Sequence, residues 1–145
     1  MYLVENLIIQ HGKTLGLQLT NGTKGIKRHI RVPEVHRPGL GLSGYLKHYA
    51  KHRILIFGKS EIEYLRDLDP ETRTSRLTAL LTPQTPAVMV SRRFIPPREL
   101  SYLCEKLNVP LFRVNMPTME LLNKLSHLLS EDFAKTMTCH GTLVE

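Results

Sequence analysis

Apolar residues change their spacing along this chain, and each change marks an element. Leu3, Val4, Leu7 and Ile8 share one helical face, with Gly12 placed to stop the helix. Leu15, Leu17 and Leu19 alternate as in a short strand, and Asn21-Gly22 is a turn signal. Ile26, Ile30 and Val32, spaced by even numbers, predict a second strand over 26–32. Pro33 and Pro38 break that regularity, and a loop with one helical turn is expected from Gly44 to Ala50. From residue 54 to 57 the chain is continuously apolar, as a strand buried on both faces should be.

Strands and helices then alternate. Ser60 and Glu63 form an S-x-x-E capping box for a helix through Arg66. Asp69-Pro70 is an N-cap followed by proline at the first helical position, opening a helix to about Leu81. A buried strand is predicted at 87–90 and a third at 111–114. Between them Pro97 starts a helix with Leu100, Leu103, Cys104 and Leu107 on one face. Pro117 opens a last helix carrying Leu121, Leu122, Leu125, Leu128 and Leu129. This order predicts an α/β fold in three layers, α/β/α, with right-handed crossovers and a mostly parallel or mixed sheet. The tail, 133–145, reads as a linker and a new strand that begins just as the chain ends, so a chain cut short is expected, with a boundary near Asp132.

Composition bounds the function. A chain of 145 residues with 41% hydrophobic residues fits one domain with its own core. No apolar run approaches the ~20 residues a bilayer span needs, and Glu5 interrupts the apolar N-terminus, which lacks the basic start of a secretory signal. With only Cys104 and Cys139, no disulfide framework exists, and a cytoplasmic location is expected. The absence of tryptophan argues mildly against a base-stacking surface. The net charge of +7 is concentrated in segment 24–53, where eight Lys or Arg face one acid, Glu34. Charge confined to one segment points to a local anionic partner.

Several motifs invite chemistry. Gly58-Lys59-Ser60 follows a strand and precedes a helix, as in a phosphate-binding P-loop. The first glycine of that signature would fall at Arg53, so no loop remains to wrap a phosphate, and Gly12-Lys13-Thr14 fails in the same way at Leu7. His48 and His52 have the i, i+4 spacing of zinc ligands, but Lys47 and Lys51 flank them and no third ligand is in view; no metal site is assigned. Cys139 and His140 are adjacent, which on a strand would send them to opposite faces, where they cannot easily share a proton as a dyad would. Cys104 reads as core. The basic segment has three readings: a solvated face that docks an acidic partner, a site for a phosphorylated or nucleotide ligand, and, with no recognition motif to support it, nucleic-acid binding. For phosphate or partner contact the natural donors are Arg37, Lys59 and the backbone N–H groups near Gly39 and Gly44.

The runs VPEVHRPGLGLSGY, RILIFGKSEIEYL, LLTPQTPAVMVSR, NVPLFRV and HGTLVE, in that order, resemble the N-terminal region of bacterial HPr kinase/phosphorylase. The resemblance extends from about Leu15 to Glu145, and its most specific parts are the RPGLxLxGY element and the closing HGxLV. It implies that residues 1–132 are the N-terminal domain, similar in fold to the nucleotide-sugar-binding domain of Mur ligases, and that 133–145 are a linker and the first strand of a catalytic domain. It further implies a parent enzyme that phosphorylates a serine of the phosphocarrier HPr in carbon-catabolite control and removes that phosphate by phosphorolysis. In that family the enzyme is a hexamer, and ATP and Mg2+ are bound by a P-loop downstream of these residues. His140 matches an active-site histidine of the family. The alternative expectation is a stand-alone module that senses a phosphorylated ligand through segment 24–53.

Overall fold

The computed structural model describes residues 1–42 and 51–144; the side chains at 40 and 136–144 are left aside. The elements run α1 (Val4–Leu15), β1 (Leu17–Asn21), β2 (Val35–His36), α2 (Gly39–Leu42), β3 (Ile54–Phe57), α3 (Lys59–Asp67), α4 (Pro70–Leu80), β4 (Val88–Val90), α5 (Arg98–Leu107), β5 (Leu111–Val114) and α6 (Thr118–Val144). The strands form one sheet in the order β1-β5-β4-β3-β2, in which only the β1–β5 pair is antiparallel. The α/β class, the three layers and the mixed sheet follow the sequence reading.

Strand alternation divides the core in two. Leu55, Phe57, Val88, Val90 and Leu111 face α3, α4 and α5, where Ile62, Leu65, Leu77, Leu80, Leu100, Leu103 and Cys104 close a fully apolar layer. Ile54, Ile56, Met89, Phe112 and Val114 face the other way, onto Val4, Leu7 and Leu15 of α1 and Leu121, Leu125 and Leu129 of α6. The strands β2 to β5 lie side by side in chain order, so right-handed crossovers put all their connecting helices on one face. The helices at the two ends of the chain are left to cover the other.

Four local expectations change. The first helix passes Gly12 and stops at Gly16, which has φ 69° and donates its N–H to the carbonyls of Gly12 and Lys13. Leu15 is therefore the end of a helix rather than the start of a strand. Segment 26–32 is no strand beyond a single Leu3–His29 bridge. Its carbonyls serve α1 instead: Ile26 and Arg28 accept from the N–H groups of Glu5 and Val4, donors that a helix start leaves free. The capping residue of α3 is Gly58, not Ser60, and the reaching carboxylate is Glu61, which accepts the Gly58 N–H at 2.9 Å. Finally, α6 runs through Val144 where a linker and strand were expected after residue 132. A strand needs a neighbour to complete its hydrogen bonds, whereas a helix completes them within itself. The Asp69 cap stands as read, its carboxylate accepting the Thr72 N–H at 3.0 Å. The helical turn expected at 44–50 lies outside the described residues.

Candidate functional site

Because β2, β3, β4 and β5 are parallel, their carboxyl ends share one edge, the edge at which open α/β sheets form ligand crevices. Arg37 follows β2, Gly58 and Lys59 follow β3, Ser91, Arg92 and Arg93 follow β4, and Thr118 opens α6 after β5. At the centre lies Glu61, which is 4% exposed. Arg37 grips its carboxylate with Nη2 to Oε1 at 2.9 Å and Nε to Oε2 at 3.3 Å, and the Gly58 N–H adds a third donor. A buried carboxylate is tolerated only when matched in this way. Gly58 lets the parts approach: a Cβ there would lie 2.6 Å from Thr118 Oγ1 and 2.8 Å from Arg37 Nη2. The buried hydroxyls of Ser91 and Thr118 meet at 2.6 Å and tie β4 to the start of α6.

The turn after β4 is strained. Arg92 and Arg93 both hold left-handed backbone, with φ 54° and 52°, an arrangement that costs of order 1–3 kcal/mol per residue and persists only where neighbours enforce it. The neighbours are visible. Arg113 donates to the carbonyls of Phe94 and Arg93, the Arg92 N–H bonds Met116 O at 3.0 Å, and the Phe94 N–H bonds Ser91 O at 3.1 Å. Both arginine side chains are exposed. Lys59 is also exposed, with Glu63 3.9 Å away. Thus the edge has a charge-matched interior, Arg37 with Glu61, and a cationic rim of Lys59, Arg92 and Arg93.

Residues 3–129 match the family described as HPr Serine kinase N terminus. The chain belongs to that family. An HPr kinase/phosphorylase from an Exiguobacterium species is 37% identical over 129 residues, which is 89% of this chain and 42% of the relative. The chain thus spans less than half the length of the curated relative it matches. In this HPr kinase N-terminal domain the RPG element anchors the β2–α2 turn to the first turn of α3. The carboxylate of Glu61 passes 3.9 Å from where a Cβ on Gly39 would sit.

The residues singled out from the sequence fare unequally. Arg37, Gly39 and Lys59 do come together at one edge, but Arg37 is engaged by the buried Glu61, whereas Lys59 is exposed and meets only Glu63, at 3.9 Å. Gly44 lies outside the described residues, as does His48 of the suggested zinc pair. His140 falls on α6 about 33 Å along the helix axis from Thr118, at ~1.5 Å per residue, far from the Arg37 edge. Part of the basic segment's charge is engaged within the chain, while Lys24, Arg31 and Lys51 stand exposed. Arg28 donates to the carbonyls of Asn108, Leu107, Thr85 and Pro83, Lys27 pairs with Glu5 at 2.7 Å, and Arg53 pairs with Glu34 at 3.1 Å. His36, half-buried, has its pKa lowered by desolvation first and by Arg53 second, against a smaller opposing pull from Glu61. Burial pushes the Cys104 thiol up to about 12, which suits a core residue.

Phosphates bind helix N-termini through free N–H groups, and at the start of α3 a carboxylate of the protein's own already accepts the Gly58 N–H. No helix among the described residues is long and apolar enough to cross a membrane. Sequence reasoning missed Glu61, Ser91, Thr118 and the Arg92-Arg93 turn. Two signals were present: Glu61 stands three residues after Gly58, and two arginines closely follow the buried run Val88-Met89-Val90.

Proposed function

We propose that this chain is the regulatory or scaffold N-terminal domain of a bifunctional HPr serine kinase/phosphorylase. The parent would transfer phosphate from ATP, with Mg2+, to a serine of HPr and reverse the modification by phosphorolysis, acting in carbon-catabolite control of the phosphotransferase system in the cytoplasm. The observation that carries this reading is the match of residues 3–129 to the kinase N-terminal family. The chemistry is assigned to residues outside this chain, because the strand-to-helix turn at Gly58 is closed by Glu61 and phosphoryl transfer needs open N–H groups and metal ligands around the phosphates. Residues 133–145 would lead into the catalytic part, with His140 contributing to its active site. Hexamer formation would rest chiefly on that part, leaving residues 1–145 monomeric or weakly associated.

Removal of residues 1–132 from the full-length protein tests the division of labour. Phosphate transfer to HPr should persist in the remainder, while its response to phosphorylated metabolites or its assembly changes. A remainder identical to the whole in rates, response and assembly would refute a regulatory or scaffold role. Phosphorylation of HPr by residues 1–145 alone would refute the assignment of chemistry elsewhere, and a stable hexamer of this fragment in sedimentation would refute the assembly claim.

A further inference from the structure

The face formed by α4 and α5 has no part in the edge described above, and it carries a second feature. Pro70, Thr74 and Thr78 recur every four residues on α4, and Arg98, Tyr102 and Lys106 recur every four on α5, so each set forms a row along its helix. Both helices lead into parallel strands and run the same way. The two rows therefore border one groove of about 600 Å³, floored by Leu103. Its lining is mostly apolar, and the Tyr102 ring, 64% exposed, stands at its wall.

Charge gives the groove a pattern. Arg73 and Glu99 neutralise each other at 3.2 Å, and the remaining Arg73 nitrogens bond the carbonyls of Leu65, Leu68 and Arg66. Arg98 and Lys106 make no hydrogen bond or ion pair among the described residues, and they stand ~12 Å apart along α5 at ~1.5 Å per residue. The result is an apolar trough with, at each end, a cation that makes no hydrogen bond or ion pair among the described residues.

We propose that this groove docks an acidic amphipathic helix of a partner protein. Two parallel helices leave a furrow into which a third helix packs, ridge into groove. Acidic side chains about eight residues apart on that helix have the axial spacing of Arg98 and Lys106. An apolar side chain midway between them reaches Leu103, between the Tyr102 ring and the methyl groups of Thr74 and Thr78. A second copy of this chain is the wrong occupant. Self-docking sets Arg98 and Lys106 against themselves, in a chain whose net charge is +7.

The test uses the whole chain, isotopically labelled, and a synthetic helical peptide with two glutamates about eight positions apart and a leucine midway. Titration should shift the amide signals of Thr74, Thr78, Tyr102 and Leu103 in a saturable way. The double variant Arg98→Glu/Lys106→Glu, both exposed positions, should keep its circular dichroism and lose about tenfold or more in affinity. A peptide with lysines in place of the glutamates should bind that variant better than it binds the original chain. No shift at millimolar peptide, shifts centred elsewhere, equal binding by the double variant, or self-association through Tyr102 in sedimentation would each overturn the proposal.

Discussion

Two basic regions of this domain hold their charge differently. Segment 24–53 is the denser in sequence, yet half of its eight cations, Arg28, Lys27, Arg37 and Arg53, are bound to carbonyls or carboxylates of the same chain, while Lys24, Arg31 and Lys51 stand exposed. The cations beyond it are sparser, but Lys59, Arg92, Arg93, Arg98 and Lys106 stand exposed. The lesson is that charge density along a chain does not measure charge available to a partner. An arginine with five donors is well suited to hold together segments that meet only after folding, and Arg28 does so for the end of α5 and the loop that leads from α4 into β4.

Mutations can break this comparison in graded steps. The largest loss is expected at the charge-matched interior. Glu61→Ala leaves the Arg37 guanidinium and the Gly58 N–H without their acceptor and should cost about 3 kcal/mol in urea unfolding. A loss under half that would mean that Arg37 finds water instead, and that the two regions are alike. Gly58→Ala should cost about 2 kcal/mol, because its methyl falls inside contact distance of Thr118 and Arg37. Arg28→Ala should cost a similar amount, about 2 kcal/mol, by stranding carbonyls of Leu107 and Asn108. Arg98→Ala, on the exposed side, should change stability by no more than about 0.5 kcal/mol. Equal effects of these two arginine substitutions would erase the contrast.

The smallest effect is one of pH. The pKa of His36 lies below its ordinary 6.5, so the folded state binds its proton less readily than the unfolded chain does. Its contribution is therefore fully favourable above about 6.5 and is lost as pH falls from there through the folded value. Unfolding midpoints taken between pH 7.5 and 5 should decline, and His36→Gln should flatten part of that decline. An unchanged slope in the variant would remove His36 from the account.

Much of the fold was legible because its signals are local. The apolar run at 54–57, the Asp69-Pro70 start and the leucine face of α5 each follow from a few neighbouring side chains. Legibility failed where two segments compete for the same partner. The 26–32 stretch has strand spacing, but β1 pairs with β5, and the carbonyls of 26 and 28 are taken by α1. It failed again at Ser60, where S-x-x-E and G-x-x-E overlap by two residues and only packing against Thr118 selects Gly58. The site was half legible. Arg37, Gly39 and Lys59 lie within one run of sequence, whereas Ser91, Arg92, Arg93 and Thr118 reach the same edge only through strand order.

By itself the sequence determined most of the element types, the three-layer α/β class and, through the VPEVHRPGLGLSGY and RILIFGKSEIEYL runs, the family. Periodicity and caps act within a turn or two, and motifs survive translation into any coordinate frame. Tertiary structure alone decided which cations remain open, which carboxylate is buried, and that Thr118 and Ser91 join Gly58 at one edge. Those outcomes depend on partners 20 to 80 residues away in the chain, such as Arg37 with Glu61 and Arg28 with Asn108. Hydrogen bonding and desolvation respond to distance in space, and nothing in the spacing of residues along the chain records it.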